Sequence, residues 1–249
     1  FSSVVPFLKK IPHNLLPFAD RADCAYRCAD ALVSVSQTYL GRAREARPDV
    51  PAETVYIGAD FPTITSSPAH RFDTVKTRFF YFGTLSHSYD VDTACRGIQK
   101  LLDSGKNVEL HIMGGGPDLE KLKQHENHAI KFYGYLPYAE MMSVAKGCDI
   151  AVNAIHSHAM QSVTNKLSDY MALQKPVLNS QTNAEVLDLL NLLPHENYRS
   201  GDADSFARAA ESLMAKQNWA IQFDEIVRRF RRDISYRKIV NLIERLANE

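Results

Sequence analysis

The chain has 249 residues, 45% of them hydrophobic and 23% charged. That suits one large domain, or one domain plus part of another, and excludes a disordered chain. Lys plus Arg number 29 and Asp plus Glu number 29, so the even balance lacks the electrostatic footprint of a nucleic-acid binder. One local basic patch stands out, at Arg228, Arg229, Arg231 and Arg232.

The sequence opens on Phe1 rather than Met, inside a stretch that already reads as folded, so a longer parent with a missing N-terminal portion is expected. No signal peptide and no run of membrane-spanning length is read. The four cysteines, Cys24, Cys28, Cys95 and Cys148, form no C-x-x-C pair and read as reduced thiols of a cytosolic protein. His13 alone does not make a metal site of Cys24 and Cys28. Residues 1–18 mix apolar side chains with Lys9, Lys10 and His13, which would allow contact with a membrane surface, although the prolines oppose one clean amphipathic helix.

In chain order, the apolar spacing predicts a helix over 19–31, a short strand over 31–36, a helix over 37–47 and a strand over 54–57 closed by Gly58. Residues 61–74, with two prolines and several Ser and Thr, read as a linker. A regular alternation follows. Strands are predicted over 78–82, 108–113, 130–133, 149–154 and 176–178. Helices are predicted over 91–102, 119–124, 138–146, 163–173 and 184–192, with Gly147 as a helix stop. Two amphipathic helices, 204–215 and 234–246, end the chain. Strands that are apolar throughout and alternate with helices define parallel βαβ units with right-handed crossovers. The expected fold is therefore α/β, with a Rossmann-like doubly wound parallel sheet.

In such a sheet the ligand sits at the carboxyl ends of the strands. That rule selects the loops 83–90, 114–118, 134–137 and 154–165. In the first, Gly83 and Thr84 open a turn that leads into a helix, where backbone can approach an anion. Asp90 ends that loop as an N-cap candidate, and His87 is either a ligand contact or simply exposed. Gly114 and Gly115 in GGGP either make a tight turn or admit a phosphate; no G-x-G-x-x-G and no Walker A sequence accompanies them. Tyr135 and Leu136 either hold a base or form a half-buried turn. Lys166 and Asp169 lie three apart on one predicted helix, close to its positive end. A lysine there can neutralise a diphosphate and a carboxylate one turn on can bind ribose hydroxyls, but the same spacing fits an ordinary surface ion pair.

Five blocks occur in order: FYFGTL at 80–85 with Tyr89 and Asp90 after it, HIMGGGP at 111–117, IKFYGYLP at 130–137, CDIAVN at 148–153, and TNKLSDYMALQKPV at 164–177. Together they resemble the C-terminal domain of the large group 1 (family 4-like) retaining glycosyltransferases of GT-B fold, of the polysaccharide and O-antigen type. Ser36 and VYIGAD at 55–60 resemble the end of that family's N-terminal domain and its hinge. The resemblance implies an N-terminal acceptor-domain tail and hinge over 1–70, a nucleotide-sugar-binding domain over 71–222 and a C-terminal crossing helix over 223–249.

The resemblance also implies roles. Lys166 would bind the diphosphate and Asp169 the ribose, standing where the family has the second Glu of E-x7-E. Counting back gives Gln161 in place of the first Glu, the donor-sugar contact; it keeps hydrogen-bonding capacity but not the charge. Lys166 and Gln161 are thus the expected catalytic pair. Gly83, Thr84, Gly114, Gly115, Tyr135, Leu136 and Asn165 join Lys166 and Asp169 as nucleotide-sugar contacts, and His156 and His158 lie in the sugar loop. The expected activity is transfer of a hexose from a UDP- or GDP-sugar to a glycan or lipid-linked acceptor, with retention of configuration. Neither metal nor other cofactor is expected. The location would be cytoplasmic, peripheral on the inner face of the membrane. A non-catalytic nucleotide-sugar-binding subunit and a nucleotide-sugar epimerase are the alternatives.

Overall fold

The structure, a computed structural model, describes residues 19–216 and 220–248. Residues 1–18, with the expectation of membrane contact attached to them, lie outside the described residues. The first elements are α1 (Ala19–Arg27), β1 (Leu32–Ser34), α2 (Gln37–Ala46), β2 (Ala52–Thr54) and α3 (Phe61–Ser66). β1 and β2 pair in parallel, Leu32 opposite Ala52, as a separate two-stranded sheet.

The expected linker is in part a helix. Asp60 caps α3 by accepting from the Thr63 N–H at 3.1 Å, and Pro62 lies in the first turn, where its missing N–H costs nothing. Phe61 and Ile64 are buried beneath it. The Pro and Ser/Thr content that signals a loop is here the composition of a capped helix start.

The main domain runs β3 (Thr77–Phe82), α4 (Val91–Asp103), β4 (Val108–Met113), α5 (Leu119–Leu122), β5 (Ile130–Gly134), α6 (Tyr138–Gly147), β6 (Ile150–Asn153), α7 (Asn165–Leu173), β7 (Val177–Asn179), α8 (Ala184–Leu190), β8 (His195–Asn197) and α9 (Ala203–Ala215). The sheet order is β5-β4-β3-β6-β7-β8, with every neighbour parallel. The order reverses between β3 and β6, which is the doubly wound topology expected from the sequence. β8 was not read from the sequence. Its segment, His195–Asn197, is polar and only partly buried, as an edge strand can be.

β3 lies at the centre. Phe79 and Tyr81 face one layer with α4 and α9, and Phe80 and Phe82 face the other with α6 and α7. Gly147 closes α6 as its last residue, but Cys148 holds the C-cap position. A Cβ on Gly147 would come within 2.4 Å of the His70 carbonyl oxygen, so close backbone packing requires glycine there.

Three short helices end the chain: α10 (Phe223–Phe230), α11 (Arg232–Ser235) and α12 (Arg237–Ala247). α10 packs on α7 and buries Ile226 and Phe230. The Ala59 N–H donates to the Phe230 carbonyl at 2.7 Å, and Arg232 and Tyr236 donate to the Ile57 carbonyl at 3.1 and 2.8 Å. The end of the chain therefore crosses back to residues 57–59. The arginines of the basic patch have local partners: Glu225 takes Arg228 at 2.6 Å and also Arg229, and Asp233 takes Arg231 at 2.9 Å. Three of its four arginines are thus paired with two carboxylates, and Arg232 is engaged with the carbonyls of Ile57 and Gly58. All four cysteines are free thiols, Cys24 and Cys28 exposed, Cys95 and Cys148 buried.

Candidate functional site

The switch point sits between the loops that follow β3 and β6. The His156 N–H donates to Ser88 O at 3.0 Å and the Asp90 N–H to Ala154 O at 3.2 Å, joining the two loops. Asp90 occupies the N-cap position of α4, but its side chain does not cap the backbone. It accepts instead from Thr93 Oγ1 and from the Gly201 N–H, both at 2.7 Å, and so ties this loop to the start of α9.

The glycine loops after β3, β4 and β5 are joined in series. The Gly83 N–H donates to Met113 O at 2.9 Å, the Gly114 N–H to Gly134 O at 2.7 Å, and the Leu85 N–H to Gly115 O at 2.9 Å. Gly114 has φ 132°, and a Cβ on it would lie 2.0 Å from the Gly83 carbonyl oxygen. A side chain there would force the loops apart.

Together these loops line a cavity of about 350 Å³ bounded by Gly83, Thr84, Met113, Gly114, Gly115, Tyr135, Leu136, Tyr138 and Met141. Six of the expected contacts thus meet on one hollow. Tyr135 is 86% exposed at its rim, not half-buried. A larger hollow of about 540 Å³ lies at the amino-terminal edge of the sheet beside Thr77, Asp149 and Pro176. The topology favours the smaller one, because the crossover loops converge on the carboxyl ends.

α7 carries Lys166 and Asp169, each 8% exposed. They form no ion pair with each other among the described contacts, so the surface-pair alternative fails. The Lys166 ammonium donates to Tyr81 Oη at 3.2 Å and lies 3.4 Å from the Tyr89 ring centroid. Its alkyl chain passes beneath Gly83, where a Cβ would meet its Cδ at 2.9 Å. Burial alone pulls the ammonium down to about 7. An ammonium held between two tyrosines with no carboxylate against it carries a desolvation cost of several kcal/mol that an anionic ligand would relieve.

Asp169 accepts from the Tyr138 hydroxyl at 2.7 Å. Burial pushes its carboxyl up to about 6, against the lowering effects of the Tyr138 hydrogen bond and the Arg232 charge. Tyr138 also lines the cavity, so it connects that hollow to Asp169. Tyr81, Tyr89 and Tyr138 were missed in the sequence. Nothing in local spacing brings Tyr81 and Tyr89 onto Lys166, or Tyr138 onto Asp169. The only available signal was that Tyr81 and Tyr89 flank the Gly83 loop.

Gln161 lies elsewhere. It lines a second cavity, about 250 Å³, with Thr38, His156, Ser157, Ala159, Met160, Gln181, Thr182 and Asn183. Asn165, the first residue of α7, is exposed. His158 is exposed and stacks on His156 at 5.0 Å, and His87 is exposed. Several buried polar atoms here have no hydrogen-bond partner: Gln161 Oε1, Ser162 Oγ, Thr164 Oγ1 and Ser168 Oγ. These four lie on one loop and helix start, where water or a polar ligand would satisfy them. Among the described residues no group of three His, Cys, Asp or Glu could hold a metal ion, and no helix is long and apolar enough to cross a membrane.

The doubly wound sheet carries a buried lysine, with no carboxylate against it, at its switch point, where ligands bind in open α/β sheets. Residues 76–216 match the glycosyl transferases group 1 family, and the chain belongs to that family. No curated protein matches the sequence. Among solved structures, the lipopolysaccharide outer core galactosyltransferase WaaB in its apo form is similar at 19% identity and TM-score 0.62, over 93% of this chain and 65% of that one. HepE of Anabaena in complex with UDP and glucose is 14% identical, with TM-score 0.69, over 96% and 67%. Sucrose-phosphate synthase of Thermosynechococcus elongatus is 14% identical, with TM-score 0.68, over 98% and 65%. These likenesses share the GT-B glycosyltransferase fold. The chain spans about two thirds of the length of these proteins.

Proposed function

We propose that the chain is the nucleotide-sugar-binding part of a glycosyltransferase that moves a hexose from a UDP- or GDP-sugar to a glycan or lipid-linked acceptor. The single observation that carries the reading is Lys166, buried, unpaired with any carboxylate and placed under Gly83 at the switch point. In this reading the diphosphate lies against Lys166 and the start of α7, where an ammonium and a helix dipole stabilise the charge that grows as the sugar bond breaks. Asp169 and Tyr138 bind the ribose. Tyr135 and Leu136 cover the base, with Gly83, Thr84, Gly114 and Gly115 bringing backbone close. Asn165 stands at the helix start facing the phosphates. Gln161 contacts the sugar as a neutral hydrogen-bonding group. Family membership and the UDP named in the HepE complex support this assignment.

Retention of configuration, independence from metal and from any further cofactor, and a cytoplasmic or peripheral membrane location belong to the same proposal. So does the division into an acceptor-domain tail and hinge over 1–70, a nucleotide-sugar domain over 71–222 and a crossing segment over 223–249. A second reading, a nucleotide-sugar-binding subunit without transfer, is favoured by one feature: Gln161 offers no charge at the sugar position.

Titration calorimetry with UDP, GDP and ADP tests the proposal. One of the three nucleotides should bind wild type, and Lys166→Ala should weaken it by about a hundredfold, as expected for losing a charge-assisted phosphate contact of roughly 3 kcal/mol. Absence of binding to all three, or equal binding by Lys166→Ala, would remove the basis for the reading. Radiolabelled sugar transfer to a glycan acceptor then separates the enzyme from the subunit.

A further inference from the structure

The carboxyl ends of β6, β7 and β8 each finish on asparagine: Asn153, Asn179 and Asn197. They are in register, Asn153 opposite Asn179 and Asn179 opposite Asn197. Their amides form a chain across the strands. Asn153 Nδ2 donates to Asn179 Oδ1 at 2.8 Å, and Asn179 Nδ2 donates to Asn197 Oδ1 at 2.7 Å. Asn153 and Asn179 are fully buried. Asn179 Oδ1 also accepts from the Gln181 N–H at 3.1 Å, and Asn179 Nδ2 donates to the Gln181 carbonyl at 2.8 Å. Gln181 is thereby held at both backbone polar groups.

From that base the Gln181 side chain reaches across to the loop after β6. Its Nε2 donates to Gln161 O at 2.7 Å and to Ser162 O at 3.0 Å. Asn153 Nδ2 approaches its Oε1 at 3.4 Å, which orients the amide with its donors toward the loop. Ser180 holds the other end of the same loop: its Oγ accepts from the Ile155 N–H at 2.9 Å and donates to Ile155 O at 2.8 Å. Residues 156–160 form an arch between two anchored ends. Gln161 Oε1 and Ser162 Oγ at the second anchor are unpartnered, as is Asn153 Oδ1 in the network itself, and Gln161 and Gln181 both line the cavity of about 250 Å³.

A buried amide network of this kind has a direction. It fixes backbone carbonyls and leaves side-chain acceptors free, which is the arrangement that presents polar groups to a polyhydroxy ligand. We infer that Gln181, seated on the Asn153–Asn179–Asn197 amide chain, is a positioning residue that fixes Gln161 and Ser162 for recognition of the donor's sugar ring. The inference rests on the nucleotide-sugar reading above, but places sugar discrimination in a network separate from Lys166 and Asp169. Gln181→Glu keeps the shape and leaves at most one donated hydrogen bond, from a protonated carboxyl, in place of two. Gln181→Met removes polarity altogether.

Calorimetry with the free nucleotide and with a panel of its hexose conjugates, epimers included, gives the test on the full chain. In both variants the affinity for free nucleotide should stay within about twofold of wild type. The preference of wild type for one hexose over its epimer should fall about tenfold, the equivalent of one lost hydrogen bond of roughly 1.4 kcal/mol. Preference unchanged in the variants, or free nucleotide and nucleotide sugar weakening in parallel, would overturn the inference and leave the nucleotide-sugar reading standing. A wild type that binds nucleotide but distinguishes no hexose would overturn the inference and the sugar assignment of Gln161 together. Should both variants fail to fold, NMR on wild type decides: the Gln181 side-chain amide protons, donated to the Gln161 and Ser162 carbonyls, should exchange slowly with solvent, and fast exchange there would refute a fixed anchor.

Discussion

Lys166 is the residue with most to lose and most to give. Its ammonium has a folded-state pKa of about 7 against an ordinary 10.5, so between those values the unfolded chain binds more protons than the native one. This group therefore makes stability rise with pH across that window, and below it the buried charge is a standing penalty. Lys166→Met should stabilise the chain by about 1–4 kcal/mol, read from urea unfolding near pH 7, while weakening nucleotide binding by about a hundredfold. A bound diphosphate reverses the protonation balance by favouring the ammonium. Nucleotide affinity should fall by up to about tenfold per pH unit above pH ~7, with proton uptake visible as a buffer-dependent binding enthalpy. A flat pH profile from 7 to 9 would show that the nucleotide does not touch this group. Tyr138→Phe removes the hydrogen bond that holds the Asp169 carboxyl down, so that carboxyl should rise further above about 6. The selectivity for ribo- over deoxyribonucleotide should then weaken several-fold near neutral pH, measured as the UDP to dUDP affinity ratio. At this scale the sequence offered Lys166, Asp169 and the glycine loops as candidates, because spacing on one helix and glycines at strand ends are local, while their roles came from the resemblance. Tyr81, Tyr89, Tyr138 and the Asn153–Asn179–Asn197 chain depend on which strands lie side by side, and no single segment contains that information.

Elements show the same division. Apolar strands with capped or glycine-stopped helices were readable one by one, and β3 through β7 fall where their patterns place them. α3 was hidden because Asp60 caps it and Pro62 begins it, both residues that loops also favour. β8 was hidden because an edge strand with the sequence HEN buries too little to show a pattern. α10 was not read from its apolar spacing, because its charged residues pair internally through Glu225 and mask the Ile226 and Phe230 stripe; it entered only within the crossing helix over 223–249 that the resemblance implied, which the structure breaks into three. One link between elements was also beyond sequence reasoning. Glu185, in the first turn of α8, accepts from the backbone N–H groups of Gln37 and Thr38 at 2.8 and 3.3 Å, and from the Tyr56 hydroxyl at 3.0 Å. It thus satisfies the first turn of α2, while Ser36 takes the next N–H, that of Tyr39, at 3.2 Å. Two helix starts, both positive ends, face each other across one carboxylate. Glu185→Ala removes that carboxylate and should cost about 1–3 kcal/mol. Amide exchange at 37–39 should accelerate while the six-stranded sheet is unaffected. If exchange of α2 is unchanged, the clasp does not hold it.

For the molecule as a whole, the question is what couples the small β1–β2 sheet to the domain with the ligand cavity. The two are joined by Glu185 on one side and by the returning C-terminal segment on the other. Phe230 is the centre of the second joint. It is fully buried, its ring stacks on Tyr56 at 5.2 Å, and its carbonyl accepts the Ala59 N–H at 2.7 Å. The same helix packs on the outer side of α7, which carries Lys166 and Asp169 on its other contacts. One buried aromatic therefore supports the hinge-like segment 57–59 and the helix that would hold the nucleotide. Phe230→Ala should destabilise the chain by about 3–5 kcal/mol, the range for truncating a buried Phe. The loss should not be uniform. Exchange should accelerate in α10 and at residues 57–60, with β3, β4 and β6 still protected, because their core on the α4–α9 side does not involve Phe230. Nucleotide affinity should weaken by less than about tenfold, since α7 keeps its contacts with β3 and β6, in contrast to the hundredfold effect of removing Lys166 itself. Loss of affinity in Phe230→Ala as severe as in Lys166→Ala, with the sheet still protected, would mean that the C-terminal segment shapes the site directly and does more than brace it.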